Sequence, residues 1–191
     1  MRRRSPKVLA LLTASVLVSG AAALAQHGAA PRPEMKNPTA RDNQSQGKSF
    51  DERQFLMDTV TDGLTEVAIG KLGVEKASRD DVKQFAQKIV DDHTKANEEL
   101  KELATGGGLT VPDALDEKQQ ARVDKLAKQS GGEFDKSFLK DQIKFHQQKI
   151  KEFQQETEGG HVQQLKDYVA KAQPTMEQHL DRAKELSKAK K

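Results

Sequence analysis

The sequence predicts an all-α protein: a ferritin-like four-helix bundle with one long crossover that carries a short extra helix. Three observations lead there. From residue 51 onward, apolar residues recur every three or four positions among charged, long-chain helix formers, and no alternating strand pattern appears. Glycines punctuate the chain at 106–108, 131–132 and 159–160. With a second tight turn at 77–78, the breaks leave two tight turns and one connection of about 26 residues, enough for a crossover along a bundle.

The chain begins outside that domain. Residues 1–25, MRRRSPKVLALLTASVLVSGAAALA, have a basic start, an apolar run and an Ala23-Leu24-Ala25 cleavage pattern, the three parts of a secretory signal. Ser15, Ser19 and Gly20 break the run too early for a membrane anchor. The expected compartment is the periplasm, or export, of a bacterial cell. The whole chain has 32 Lys+Arg against 29 Asp+Glu; removing the signal, with its four basic residues, leaves 28 against 29. The basicity that would suit nucleic acid therefore belongs to the signal, and no nucleic-acid partner is expected. There is no cysteine, so neither a disulfide framework nor a lipid-accepting thiol is available. Residues 26–50, rich in Pro, Gly, Asn, Gln and Ser, bury too little apolar surface to offset their ordering entropy and are read as a disordered leader. The bundle domain is 51–191.

The first long helix is expected over 52–76, with Leu56, Val60, Leu64, Val67 and Val74 inward. Glu66 lies about 100° from the centre of that stripe, flanked by Gly63, Gly70 and Gly73, where a neighbouring helix can approach closely. Ser78 is read as the cap of the second helix, with Asp81 in the capping-box position. That helix runs to Thr105 with a stripe of Val82, Phe85/Ala86, Ile89, His93, Ala96, Leu100 and Leu103. The crossover carries a short helix over about 115–129, reaching about 22 Å at 1.5 Å per residue. The third long helix follows Gly131-Gly132 and presents Leu139, Gln142, His146, Ile150 and Phe153. The fourth starts near His161, presents Leu165, Val169, Ala172, Met176, His179, Ala183 and Leu186, and is expected to kink at Pro174.

Three of the four long helices thus put a histidine on the inward stripe. Counting rise from the turns places His93 and His146 at one level, Glu66 about 5 Å above them and His179 about 9 Å above. A buried imidazole needs a partner. Three of them can serve one another through hydrogen bonds or share one metal ion, and neutral imidazoles with a carboxylate suit a single zinc, copper or iron ion. The candidate metal residues are His93, His146, His179 and Glu66. Met176, one turn before His179, offers a thioether, and Asp92 and Glu177 are candidate orienters of neighbouring histidines. A di-iron centre would need Glu-x-x-His from two helices, but Val90, Ile143 and Met176 stand three residues before the three histidines, and Glu158–His161 straddles Gly159-Gly160. No nucleophile elbow, phosphate loop or other catalytic signature is present.

The runs GLTEVAIGKLGVEKASRDDVKQFAQKIVDDHTKANEELKELA, KSFLKDQIKFHQQKIKEF and LKDYVAKAQPTMEQHLDRAKEL resemble the exported bacterial family filed as domain of unknown function 4142, whose members are often labelled predicted outer membrane proteins. Glu66, Asp92-His93-Thr94, His146 and His179 fall where the family pattern has them; Phe145 departs from its usual acidic residue. The resemblance implies a ferritin-like fold and an export route, and no reaction. Two functions follow as expectations. One is a periplasmic bundle binding one transition metal through its core histidines. The other is a non-catalytic envelope protein with structural or stress-related protein partners.

Overall fold

The apolar periodicity becomes helix over nearly the spans expected: α1 (Glu52–Lys76), α2 (Asp80–Gly106), α3 (Glu117–Ala127), α4 (Gly131–Gly159) and α5 (Gln163–Lys188). The structure is a computed structural model and describes residues 51–189; the signal and leader lie outside the described residues. Among the described residues there is no strand, and no helix is long and apolar enough to cross a membrane. α1, α2, α4 and α5 are the four long helices, and α3 is the short helix of the crossover. α5 continues as one helix through Pro174.

Contacts along the helices define the topology. Phe55 packs on Phe153 and Glu66 bonds Gln142, so α1 and α4 run antiparallel. Arg79 bonds the Leu186 carbonyl, Asp92 meets His179 and Glu99 pairs with Lys171, so α2 and α5 are antiparallel as well. With the tight α1–α2 and α4–α5 turns, the result is two hairpins joined by one crossover.

The core has two apolar clusters. One gathers Ile69, Val82, Phe85, Ile89, Phe134, Phe138 and Leu186; the other gathers Phe55, Val60, Leu100, Phe153, Leu165, Tyr168 and Met176. On each long helix the residues between the clusters include buried polar ones: Glu66 on α1, His93 and Asn97 on α2, Gln142, His146 and Lys149 on α4, His179 on α5. A polar layer therefore crosses the bundle between two greasy ends.

Three sequence expectations need correction. First, Leu56 and Val60 are buried as expected, but beyond them α1 turns a different face inward. Leu64 and Val67 are only half-buried and Val74 is exposed, while Gly63, Thr65, Glu66, Ile69, Gly70 and Gly73 are buried. The glycines decide this, because α2 lies directly on them. A Cβ on Gly73 would stand 2.5 Å from Ala86 Cβ, and one on Gly70 2.7 Å from Val90 Cγ2. Second, Ser78 does not cap α2, whose N-cap is Arg79, without a side-chain cap bond. Ser78 N (2.8 Å), Ser78 Oγ (2.6 Å) and Arg79 N (3.2 Å) all donate to the buried Asp135 of α4, and Asp81 pairs with Arg79 instead. The two amides leading into α2 are thus met from across the bundle. Third, α5 starts at Gln163 rather than His161, since Gly160 and Val162 are extended and the Glu52 carboxylate accepts from the His161 and Val162 amides. The capping box that does form is on α3, between Asp116 and Gln119.

Gly73→Ala is expected to destabilise the protein by about 1–3 kcal/mol, because overpacking against Ala86 outweighs the gain of up to about 1 kcal/mol in helix propensity. Gly106→Ala, which meets nothing within 4 Å, should be neutral or stabilising; urea denaturation of both variants checks the contrast in sign. In the same assay Asp135→Ala should cost about 1–3 kcal/mol, because three part-buried donors lose their shared acceptor, and Ser78→Ala, which removes one hydroxyl donor, under about 1.5 kcal/mol.

Candidate functional site

The polar layer brings His93, His146 and His179 together. Each is buried, and one nitrogen from each lies within 4.8 Å of the other two. His179 is gathered with the others rather than standing about 9 Å above them; the start of α5 at Gln163 rather than His161 accounts for about 3 Å of that at 1.5 Å per residue, and the offset between the helices for the rest. The ring centroids are 5.8 Å apart for His93–His146, 5.6 Å for His93–His179 and 5.1 Å for His146–His179.

Hydrogen bonds determine which nitrogens carry protons. His146 Nδ1 lies 2.9 Å from the Gln142 carbonyl, which can only accept, so Nδ1 bears the hydrogen. His179 Nε2 lies 2.7 Å from Asp92 Oδ2. Although burial opposes its ionisation, hydrogen bonds from Lys88 and His179 hold the Asp92 carboxyl below its usual range, so it too accepts, and His179 Nε2 bears the hydrogen. In the neutral rings that leaves His146 Nε2 and His179 Nδ1 both bare. They face each other at 3.1 Å. Two lone pairs at that distance repel unless a cation lies between them or beside both.

A proton is poorly suited to that place. Burial, then the neighbouring His179, pushes His146 down to about 3. Burial likewise lowers His179, against the raising effect of Asp92. His93 is held well below its usual value by burial, then by His146 and His179. Its Nε2 has no hydrogen-bond partner. A metal ion suits the donors better. Zinc–nitrogen bonds of about 2.0–2.1 Å put two nitrogens of a tetrahedral site about 3.3 Å apart, near the spacing seen here.

Glu66 stands next to this trio rather than in it. Fully buried, it accepts from Arg122 Nη2 (2.7 Å) and from the side chain of Gln142 through Nε2 (2.7 Å), whereas His146 meets the backbone carbonyl of Gln142. Burial, partly offset by Arg122, raises its pKa to about 7. Arg122, from the crossover helix, also grips Asp141 and lies 5.1 Å from the centre of the Phe145 ring. Phe145 packs edge-on against His93 and His146. Of the two candidate orienters, Asp92 holds His179, whereas Glu177 is exposed and bonds Gln173. Met176 sits in the apolar cluster below the trio. Asn97, Arg122 and Asp141 were not singled out by sequence. The only available signal was a polar residue at the helical spacing of a buried stripe, and that pointed to Asn97 alone.

Neither a curated protein nor a solved structure matches the chain. The family model described as domain of unknown function (DUF4142) matches residues 36–186. Spanning most of the sequence and all of the buried histidine trio, that match makes the chain a member of the DUF4142 family.

Proposed function

We propose that this protein binds a single transition metal ion through His93, His146 and His179, and does so outside the cytoplasm after export by its N-terminal signal. What supports the metal is the pair of bare nitrogens, His146 Nε2 and His179 Nδ1, 3.1 Å apart with their tautomers held by Gln142 and Asp92. Three neutral imidazoles form a nitrogen donor set for zinc, copper or iron. The Gln142 backbone carbonyl, fixed within α4, holds the His146 tautomer. Asp92 plays the same part for His179 directly, as carboxylates do for metal-ligating histidines.

A metal that binds only the native state raises its stability by about 2.7 kcal/mol at a concentration a hundredfold above Kd. Titrating zinc or copper(II) into the chelator-treated protein should therefore raise Tm. The His93→Gln, His146→Gln, His179→Gln triple variant should not respond. Equal responses, or none in the parent, would reject the metal and leave the envelope interaction protein as the better account.

The metal-free protein should also lose stability in mild acid. A histidine whose folded pKa is depressed contributes stability above its unfolded pKa of 6.5 that is lost as pH falls towards the folded value, about 3 for His146. From pH 7 to 5, His146 alone is expected to remove about 2 kcal/mol. Glu66 acts with the opposite sign: its pKa is raised from 4.5 to about 7, so its contribution is lost as pH rises through that range. Subtracting the pH 7-to-5 stability change of the triple variant from that of the parent removes Glu66 from the comparison and should leave a negative remainder, a net loss of stability in the parent.

A further inference from the structure

Between α2 and α5 runs an open groove of about 340 Å³ whose floor includes Phe85 and His179. Both are almost fully buried, and their rings pack edge-on with centroids 6.2 Å apart. Gln84 and Lys88 of α2 and Gln178 and Arg182 of α5 form the rims, and Asp81 completes the lining. Each charged residue of the lining has an ion-pair partner: Asp81 with Arg79, Lys88 with Asp92 and Arg182 with Glu185. No uncompensated charge in the wall therefore repels a cation. Of the trio, His179 alone lines the groove; His146 is fully buried, with its Nε2 3.1 Å from His179 Nδ1. A separate cavity touches His93 and Asn97, whose side-chain amide has no partner. At about 10 Å³ it has room for about one water. An ion that still carries part of its hydration shell needs more space than that, and the α2–α5 groove provides it.

His179 is also the member of the trio whose support reaches the surface. Its Nε2 donates to Asp92 Oδ2 at 2.7 Å. The Asp92 side chain is 28% exposed and is shared with Lys88, itself 54% exposed. Water and salt compete for an ion pair as open as that, which is worth about 0–1 kcal/mol. His146 is tied instead to the Gln142 carbonyl inside α4. Solvent can loosen the first of these attachments far more readily than the second. We infer that the α2–α5 groove is the port through which the metal enters and leaves, with His179 as the first ligand it meets and the His179–Asp92 hydrogen bond as the latch. This inference rests on the metal reading above. Releasing the latch frees the imidazole to turn towards the groove and bring the ion in to His146 and His93. Closing it returns the Nε2 hydrogen to Asp92 and leaves Nδ1 for the metal.

Stopped-flow transfer of the ion that raises Tm, zinc or copper(II), to and from a chromophoric chelator gives loading and release rates, and the end points give Kd. Gln84→Trp and Gln178→Trp, at exposed positions on the two rims, should leave Kd unchanged. Both should slow loading and release alike, about tenfold, as an added barrier of about 1.4 kcal/mol does. Gln148→Trp, on the exposed face of α4, should match the parent. Asp92→Asn should speed loading as well as release. Rim variants no slower than Gln148→Trp would overturn the port and leave the metal site intact. Faster release without faster loading in Asp92→Asn would overturn the latch and reduce Asp92 to an orienting residue. A parent whose Tm responds to neither ion would remove the metal reading and this one with it.

Discussion

Imidazole nitrogens that cannot reach water must be met inside the protein, and in this bundle that requirement falls on three helices at one level. Apolar packing alone tolerates displacement, because the hydrophobic effect has no direction and a stripe repeated every three or four residues looks similar one turn away. Hydrogen bonds do not tolerate it. Sliding α5 by one turn against α2 would separate His179 from Asp92 and from His146 while still giving Leu186, Ala183 and Met176 apolar neighbours. The polar layer therefore sets the register, and the two apolar clusters supply most of the burial. The same requirement explains why the layer is shared among four helices: no single helix can bring enough donors and acceptors to one point.

The crossover takes part in the same device. α3 buries only Val123 and Leu126, too little to hold it by apolar contact alone. Its Arg122 reaches the fully buried Glu66, grips Asp141 and covers Phe145, and Lys76 of α1 donates to the Ala127 carbonyl at its end. Arg122, Glu66 and the Gln142 side chain thus form one hydrogen-bonded run that reaches from the crossover into the buried layer beside the trio. Carboxylates from neighbouring helices serve the helix ends in a similar way: Asp135 meets the amides before α2 and Glu52 those before α5. Both are caps contributed by tertiary structure, which ties helix termini to the fold and not to local sequence.

α1 shows where pattern and packing part company. Leu64, Val67 and Val74 are spaced as a buried stripe, yet the buried face is the one carrying Gly63, Gly70 and Gly73. Backbone-to-backbone approach at those glycines brings α2 close along its length. The face that permits the closer approach wins over the face with larger side chains, and Glu66 moves from the flank of the stripe to its centre. Ser78 departs from the expected local cap for a related reason. Arg79 stands at the N-cap, and the Ser78 hydroxyl donates to a buried aspartate 57 residues away.

The sequence by itself determined the all-α class, the bounds of α1, the long crossover with its short helix, and the histidines facing inward on three helices. These depend on local physics: periodicity, propensity and glycine breaks act over a few residues and leave their mark on the chain. Only the tertiary structure decided that the three histidines share one level, that Glu66 binds Arg122 and the Gln142 side chain instead of joining the trio, and that Asn97 stands unpartnered beside a cavity. Those facts depend on helix rotation and offset and on which groups across the bundle claim each donor. An error of one helical turn, about 5.4 Å, exceeds the 4.8 Å within which the three nitrogens gather, so counting along the chain could place the histidines on the right face but could not bring them together.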